Sequence, residues 1–218
     1  PVAVAILTFI LALAGKLMAK DGLVRQGPGG FARRVDYMGT GLIGKTLGSV
    51  GLGNIGAETF RMCAPLDMNF IYCDPYADPA VAQDVNAREV DLDTLFRESD
   101  FVAINAPYTE ETHHLVNTRR LSLMKPAACL INTSRGPLVD QTALVAALQS
   151  GVIAGAGLDV FDPEPPEADD LLLQLDNVIL TPHALCWTDQ CFAGIGASAV
   201  AAVLDLKAGR PLSHPVDP

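Results

Sequence analysis

Positive charge is scarce in this sequence: 15 lysines and arginines are outnumbered by 25 aspartates and glutamates, which leaves a net charge of −10 at neutral pH. Nucleic acids and anionic membrane surfaces are bound mainly by basic side chains. The charge balance therefore predicts no nucleic-acid partner and no membrane partner. Any anionic ligand must be bound by a small number of local groups.

The sequence also lacks the cysteine and histidine spacings of metal sites. Its five cysteines contain no C-x-x-C pair, and Cys73 and Cys129 fall in apolar, strand-like runs. We interpret the cysteines as reduced thiols of a cytoplasmic protein. The pair His113 and His114 is not expected to bind a metal, because adjacent side chains point apart and no third ligand is close in sequence.

The first apolar run is short. Val2–Gly15 is unbroken but has only 14 residues, whereas a membrane-spanning helix takes about 20. The run also lacks the basic segment that begins a signal peptide. We predict that it forms a buried core helix.

The most informative stretch is 46–62, where a short apolar run breaks into glycines and continues as a helical pattern. The glycines follow the pattern G-x-G-x-x-G: Gly51 permits a sharp turn, Gly53 lets the backbone approach a pyrophosphate, and Gly56 lets helix and strand pack closely. The N–H groups and dipole of a helix starting near Asn54 favour a bound anion. Ordinary loops can also contain this pattern, so the surrounding sequence decides whether it indicates a dinucleotide site.

That context is an acid at the end of the next predicted strand. Asp74 lies 23 residues after Gly51, and an acid at about 20 residues typically binds the ribose hydroxyls of a dinucleotide. A carboxylate there would repel a 2′-phosphate, so the spacing predicts NAD rather than NADP. The alternative is that Asp74 simply opens the turn at Pro75.

Short apolar strands alternate with helices of about ten residues along the rest of the chain. This alternation predicts an α/β fold with a doubly wound parallel sheet and helices on both faces, of the Rossmann type. We predict a dinucleotide-binding domain over 1–187, with a leading helix over 1–20 at its boundary, followed by a C-terminal helix and tail over 188–218. The predicted strands are 46–50, 69–73, 101–104, 128–132, 154–158 and 178–181, and the predicted later helices are 91–100, 121–125, 141–150 and 188–208. The stretch 21–36 is predicted to be a loop-rich surface connection.

Three reactive side chains follow predicted strands, at the sheet edge where α/β proteins bind ligands: Arg135, Glu164 and His183. Arg135 would hold a carboxylate through two hydrogen bonds and polarise the adjacent carbonyl. His183 would protonate the carbonyl oxygen as hydride arrives, and Glu164 would orient the imidazole. Taken singly, each residue also has an ordinary explanation as a turn, loop or post-proline polar residue.

Six segments together resemble, in order and spacing, the D-isomer-specific 2-hydroxyacid dehydrogenases. They are Gly51–Gly56, Asp74–Tyr76, Pro107–Thr112, Ile131–Asp140, Gly157–Pro165 and Thr181–His183. The resemblance implies an NAD-dependent oxidoreductase that acts on the CH–OH group of a small 2-hydroxy acid, or on the matching 2-oxo acid, with glyoxylate or hydroxypyruvate as examples. It implies Arg135, Glu164 and His183 as the catalytic set, with His183 as the acid and base.

The resemblance also implies a set of cofactor contacts. In addition to the three glycines and Arg135, these are Asn54 and Ile55 on the pyrophosphate, Asp74 on the ribose, Ala106, Pro107 and Thr112 on the adenosine side, and Thr133, Ser134 and Asp159 near the nicotinamide. Asp159 would hold the carboxamide of the nicotinamide. Its alternative role is that of an ordinary strand-end capping acid.

The resemblance further implies a homodimer formed through the first helix and the segment to Val35. An unpartnered apolar helix over Val2–Gly15 would itself favour self-association. The family's substrate domain would precede Val2, where this sequence does not contain it, and the C-terminal helix and tail over 188–218 would return to that domain. A second function therefore remains open: a non-catalytic NAD-binding module, or an NAD-sensing relative of the co-repressor kind.

Overall fold

The computed structural model describes residues 1–212 and residue 215, so His214 and the end of the proline-punctuated tail lie outside the described residues. The chain divides into two compact units. One unit spans Val2–Leu185, and the other comprises Pro1 and the chain from Cys186 onward. The predicted assignment of the C-terminal helix to a substrate domain stays a prediction.

The larger unit is built on seven strands. They are β1 (Thr46–Val50), β2 (Asn69–Cys73), β3 (Ala87–Glu89), β4 (Phe101–Ile104), β5 (Cys129–Asn132), β6 (Gly155–Leu158) and β7 (Val178–Leu180). All neighbouring pairs are parallel, in the order β3-β2-β1-β4-β5-β6-β7. The predicted parallel sheet is confirmed, and its order reverses between β1 and β4.

Helices cover both faces of this sheet, as predicted. They are α1 (Val2–Gly15), α2 (Leu17–Arg25), α3 (Pro28–Ala32), α4 (Asn54–Cys63), α5 (Pro79–Asp84), α6 (Leu92–Glu98), α7 (Thr118–Leu121) and α8 (Gln141–Gln149). Buried side chains of α1 and α4 belong to one hydrophobic cluster, and those of α6 and α8 belong to the other. The sheet lies between the two clusters.

The first helix is a core element rather than an exposed one. Ile6, Phe9 and Ile10 are fully buried, and a Cβ added to Gly157 of β6 would lie 2.6 Å from the Phe9 ring. The helix therefore packs directly on the backbone of the sheet. The expectation that α1 would be an exposed apolar helix is therefore wrong for the face that carries Ile6, Phe9 and Ile10. Val4 and Leu11 remain exposed.

The stretch 21–36, predicted to be a loop, is helical. Asp21 and Arg25 form an ion pair one turn apart in α2, at 2.6 Å, which supports the helix modestly. Pro28 occupies the first turn of α3, where its missing N–H removes no helical hydrogen bond. A 3₁₀ turn over Arg33–Tyr37 continues the segment.

Two further boundaries differ from the sequence prediction. Helix α7 begins three residues earlier than predicted, because the Asn117 side chain caps it by accepting from the Arg120 N–H at 3.1 Å. Strand β3 was missed, since a three-residue edge strand containing Arg88 and Glu89 carries no hydrophobic alternation.

Asp100 is a buried carboxylate at the amino edge of the sheet. It accepts hydrogen bonds from the Thr46 N–H (3.0 Å), Lys125 Nζ (3.0 Å) and Lys45 Nζ (3.3 Å). Burial opposes ionisation, but the Thr46 N–H and the two lysines outweigh it and hold the pKa of Asp100 below its usual value.

This arrangement predicts a pH-dependent loss of stability in Asp100→Asn. We expect the free energy of unfolding at pH 7 to fall by about 1–3 kcal/mol, as for other hydrogen bonds to charged groups. A carboxyl whose pKa is lower in the folded state stabilises above its unfolded pKa of about 3.9, and that stabilisation disappears as the pH falls through the folded pKa. Urea unfolding at pH 7 and pH 3 measures both values. An equal difference at the two pH values would contradict the prediction.

In the second unit, α9 (Asp189–Lys207) begins at Thr188, whose hydroxyl accepts from the Cys191 N–H at 3.1 Å, as the predicted helix requires. None of its residues is buried. Within the described residues, α9 is the one unbroken helix that is long and apolar enough to span a membrane. Helices α1 and α2 would be long enough only if they were counted together as one span, with a bend of 57° between them.

Candidate active site

The carboxyl ends of six strands are level with one another. Val50 at the end of β1 pairs with Cys73 of β2 and with Ile104 of β4, and the same register continues through β5, β6 and β7. The residues that immediately follow these strands therefore form one row along the sheet edge: Gly51, Asp74, Asn105, Thr133, Asp159 and Thr181. The row crosses the point between β1 and β4 where the strand order reverses, which is where such sheets bind ligands.

The three glycines of the β1–α4 turn meet the steric requirements that the sequence predicts. Gly51 has a φ of +98°, and a Cβ there would lie 2.9 Å from the carbonyl oxygen of Asn105. A Cβ on Gly56 would lie 2.5 Å from the carbonyl oxygen of Gly51. No atom lies within 4 Å of the Cβ position of Gly53. The turn is therefore tightly packed except at Gly53, where open space remains for a pyrophosphate.

The amino end of α4 suits an anion at the same place. Gly53 is the N-cap residue, so no side chain caps the helix. The backbone N–H groups of Asn54 and Ile55 lie in the first turn, where a helix provides no internal acceptor. These groups and the helix dipole are the usual elements of a phosphate site.

Asp74 is held rigidly beside this turn. Its two carboxylate oxygens accept from the N–H groups of Leu52 at 2.8 Å and Tyr76 at 2.9 Å. Each oxygen keeps a further lone pair, so the carboxylate can also accept from ribose hydroxyls. The turn role at Pro75 is therefore observed, and it leaves the carboxylate able to bind a ribose as well.

The cavity next to Asp74 is acidic. It has a volume of about 440 Å³, and its lining includes Glu58 and Asp78 as well as Asp74. Among its described lining residues the one cation is Arg61, which already pairs with Glu58 at 3.3 Å and with Asp84 at 2.8 Å. An additional phosphate on the ribose would therefore meet net negative charge.

A second cavity, of about 500 Å³, lies between the loops that follow β4 and β5. Its lining is Asn105–Tyr108 with Ser134 and Arg135. The Ser134 hydroxyl donates to the Ala106 carbonyl at 2.8 Å and joins the two loops. The buried amide of Asn132 accepts from the Ser134 N–H (3.0 Å) and donates to the Arg135 carbonyl (2.8 Å), so it sets the turn that presents Arg135.

Asn105 is a candidate site residue that the sequence analysis missed. The Ser49 hydroxyl uses its single proton on the Gly51 carbonyl at 2.5 Å, so it can only accept from the Asn105 Nδ2 at 2.9 Å. This hydrogen bond orients the Asn105 amide. Within the described part of the chain, Asn105 Oδ1 and the Thr133 hydroxyl are both buried and have no hydrogen-bond partner. Two unsatisfied buried polar atoms in the strand-end row fit a polar ligand. The available signal was position, since Asn105 directly follows a predicted strand.

His183 and Glu164 form a direct pair. His183 Nδ1 lies 2.5 Å from Glu164 Oε1, and the other carboxylate oxygen accepts from the Phe161 N–H at 3.2 Å. The second ring nitrogen, Nε2, has no hydrogen-bond partner among the residues described here, and the side chain is 43% exposed. The pair therefore presents one free imidazole nitrogen to a substrate.

The charges around Glu164 keep it ionised. Burial of the carboxyl opposes ionisation, but the hydrogen bonds from His183 and the Phe161 N–H, with the charges of His183 and Arg135, hold the pKa of Glu164 below its usual value. The ionised carboxylate can therefore accept a hydrogen bond from the imidazole N–H.

Thr112 has a structural role in the loop after β4. Its hydroxyl accepts from the Thr109 N–H at 2.7 Å and donates to the Pro107 carbonyl at 2.8 Å, which closes the loop. The neighbouring rings of His113 and His114 stack with centroids 3.9 Å apart, and His114 has a φ of +49°. The expectation that these side chains point apart is therefore wrong. Among the described residues, no group of three or more potential metal ligands forms.

Comparisons with known proteins find related sequences and structures. The family model described as "D-isomer specific 2-hydroxyacid dehydrogenase, NAD binding domain" matches residues 7–184. Glyoxylate reductase of Thermococcus litoralis is 43% identical over 178 residues, which cover 80% of this chain and 54% of the relative. Glyoxylate/hydroxypyruvate reductase B of Shigella boydii is 39% identical over 218 residues, which cover the whole chain and 67% of the relative.

A solved structure shares the fold. The NAD-complexed D-isomer specific 2-hydroxyacid dehydrogenase of Lactobacillus delbrueckii subspecies bulgaricus superposes with a TM-score of 0.86 at 27% identity, over 99% of this chain and 69% of that chain. The curated relatives are longer than this chain. It spans between 40% and 67% of their length.

Proposed function

Since this chain belongs to the D-isomer specific 2-hydroxyacid dehydrogenase family and carries its NAD-binding domain, we propose that it transfers hydride between NAD(H) and a small 2-hydroxy or 2-oxo acid. The substrates we propose are glyoxylate-like or hydroxypyruvate-like acids, as the names of two relatives suggest. The observation that carries the proposal is the His183–Glu164 pair, which lies at the same sheet edge as the cofactor crevice.

The proposed chemistry assigns each polar side chain one task. When bound, NADH supplies the hydride. Arg135 binds the substrate carboxylate and polarises the neighbouring carbonyl. His183 donates the proton on Nε2 to the carbonyl oxygen in reduction and accepts it in oxidation, while Glu164 keeps the imidazole oriented. This pairing favours an enzyme over a non-catalytic NAD sensor, which would need no positioned acid.

The same proposal assigns the cofactor. Gly51, Gly53 and Gly56, with the backbone of Asn54 and Ile55, bind the pyrophosphate. The ribose diol binds Asp74. The remaining proposed contacts, on the adenosine and nicotinamide sides, are Ala106, Pro107, Thr112, Thr133, Ser134, Arg135 and Asp159, and to these we add Asn105.

Titration calorimetry with NADH and with NADPH tests the cofactor assignment. We expect NADPH to bind at least about tenfold more weakly, because its 2′-phosphate would meet the acidic cavity. In Asp74→Asn we expect weaker NADH binding and a smaller difference between the two cofactors. Asp91→Asn, which removes a helix-capping acid elsewhere, is the matched control. Equal affinities in the unsubstituted chain would contradict the NAD preference, and reduction of glyoxylate or hydroxypyruvate with bound NADH tests the activity.

We also propose a homodimer. The segment that follows α1 exposes a series of large apolar side chains: Leu17, Met18, Val24, Phe31, Val35 and Met38, each more than 55% exposed. A patch of this kind favours association. Light scattering coupled to gel filtration measures the oligomeric state, and a monomer at all concentrations would contradict the proposal.

A cytoplasmic location is likewise proposed, together with the absence of nucleic-acid and membrane partners. Burial raises the pKa of the Cys63 and Cys129 thiols to about 11. Such thiols are unreactive and need no oxidising compartment.

A further inference from the structure

The turn that carries His183 is attached to one buried carboxylate. Asp159, which is 3% exposed, accepts at Oδ1 from the Thr181 hydroxyl (2.6 Å), the Ala184 N–H (3.0 Å) and the Leu185 N–H (3.2 Å). Its Oδ2 accepts only a longer bond from the same Leu185 N–H, at 3.3 Å. The donors lie on both sides of His183 in the sequence, so the carboxylate holds both ends of the turn.

The conformation of His183 needs such support. Its φ is +54°, in the left-handed region that a residue with a side chain rarely adopts. The His183 N–H donates to the Thr181 carbonyl at 3.0 Å, which closes the bend tightly. Unfavourable backbone geometry of this kind persists only when surrounding contacts determine it.

Asp159 also stands at the start of the loop that carries Glu164. Its own N–H donates to the Asn132 carbonyl at 3.0 Å, which anchors it to the end of β5. Among the described residues Asp159 forms no ion pair, so its charge is stabilised by neutral donors that all belong to 181–185. Hydrogen bonds to an ionised acceptor are stronger than those between neutral groups.

We propose that Asp159 is a positioning residue for the acid–base pair, and that its carboxylate, with the Thr181 hydroxyl, fixes the His183 turn so that the imidazole meets Glu164. The inference rests on the proposed function, in which His183 transfers the proton. This role differs from the one that the family resemblance implies, in which the Asp159 carboxylate holds the carboxamide of the nicotinamide. Oδ2 retains the capacity for that second role, so the two roles are tested separately.

The first test uses the chain without cofactor. Proton NMR detects the His183 Nδ1–H in its short hydrogen bond to Glu164, and the loss of that signal in His183→Gln assigns it. In Thr181→Val, which removes the hydroxyl and leaves Asp159 in place, we expect this proton to exchange with solvent roughly ten- to a hundredfold faster. Thr181→Ser keeps the hydroxyl and is expected to exchange at the original rate. In Asp159→Asn we expect the signal to disappear.

The control is Asp100→Asn, since Asp100 is also a buried, hydrogen-bonded aspartate but lies at the opposite edge of the sheet. It is expected to lose stability and to keep the His183 signal. Equal exchange rates in the original chain and in Thr181→Val would overturn the proposal. So would loss of the signal in Asp100→Asn, because the signal would then report general stability rather than the turn.

The second test separates positioning from cofactor binding. We expect Thr181→Val to bind NADH within about twofold of the original affinity and to lower kcat with little change in KM, since only the geometry of the proton donor is altered. Loss of NADH affinity in Thr181→Val would overturn the proposal. If the unsubstituted protein reduces no 2-oxo acid, the proposed function fails, while the NMR result still decides whether Asp159 positions His183.

Discussion

Replacing His183 by alanine is expected to lower kcat for reduction of a 2-oxo acid by two to four orders of magnitude, the range over which a positioned general acid contributes. The affinity for NADH is expected to stay within about twofold, because the imidazole pairs with Glu164 through Nδ1 and His183 is not among the proposed cofactor contacts. Steady-state rates with glyoxylate or hydroxypyruvate, together with NADH titration, measure the two quantities.

His114→Ala is the matched control for this prediction. His114 shares the left-handed backbone conformation of His183, with a φ of +49° against +54°, and it stacks on His113 outside the proposed site. We expect it to keep kcat within about twofold. If both histidine variants lose activity equally, or if His183→Ala keeps most of its activity, His183 is not the proton donor.

Gly136→Ala is expected to produce the second large loss of activity. A Cβ at this position would lie 1.7 Å from the carbonyl oxygen of Phe161 and 2.9 Å from the backbone nitrogen of Asp162. Neither neighbour is a flexible side chain, so one of the two backbone segments has to move. The first segment carries Arg135 and the second carries Glu164.

We expect kcat/KM to fall by about a hundredfold or more in this variant, since a displacement of about 1 Å in a catalytic group has that effect. The free energy of unfolding should fall by about 1–3 kcal/mol, as for other overpacked sites. Denaturant unfolding and steady-state kinetics measure the two effects. Gly41→Ala is the control, because no atom lies within 4 Å of its Cβ position; a silent Gly136→Ala would show that the two segments do not need their close contact.

The local elements of this domain could be predicted because each is specified by a few residues that lie close together in the sequence. The β1–α4 turn is specified by three glycines within six residues, and α8 by Asp140, whose carboxylate caps it at the Ala143 N–H. Helix α9 is likewise specified by a capping residue, Thr188, which directly precedes it. Where the local signal was weak, as in the short edge strand β3, the prediction failed.

The sequence predicted only some of the residues in the row at the strand ends. Asp74 was found from its spacing to the glycine turn, and Asp159 through the family resemblance. Asn105 was not found, because its importance depends on a neighbour 56 residues away: Ser49 orients its amide. The family resemblance named several roles, but it assigned Asp159 to the cofactor and said nothing of its bonds to the His183 turn.

Local sequence patterns were enough to predict the fold class, the alternation of strands and helices, the glycine turn and the residue types available for proton transfer, because each of these depends on neighbours within a few residues. The tertiary structure alone decided which of them meet. The Asp159 bonds to 181–185 span 22 to 26 residues, and the contact of Gly136 with Phe161 joins two different loops. Such contacts depend on strand register and on which loops the sheet brings together, and no local pattern in the chain encodes them.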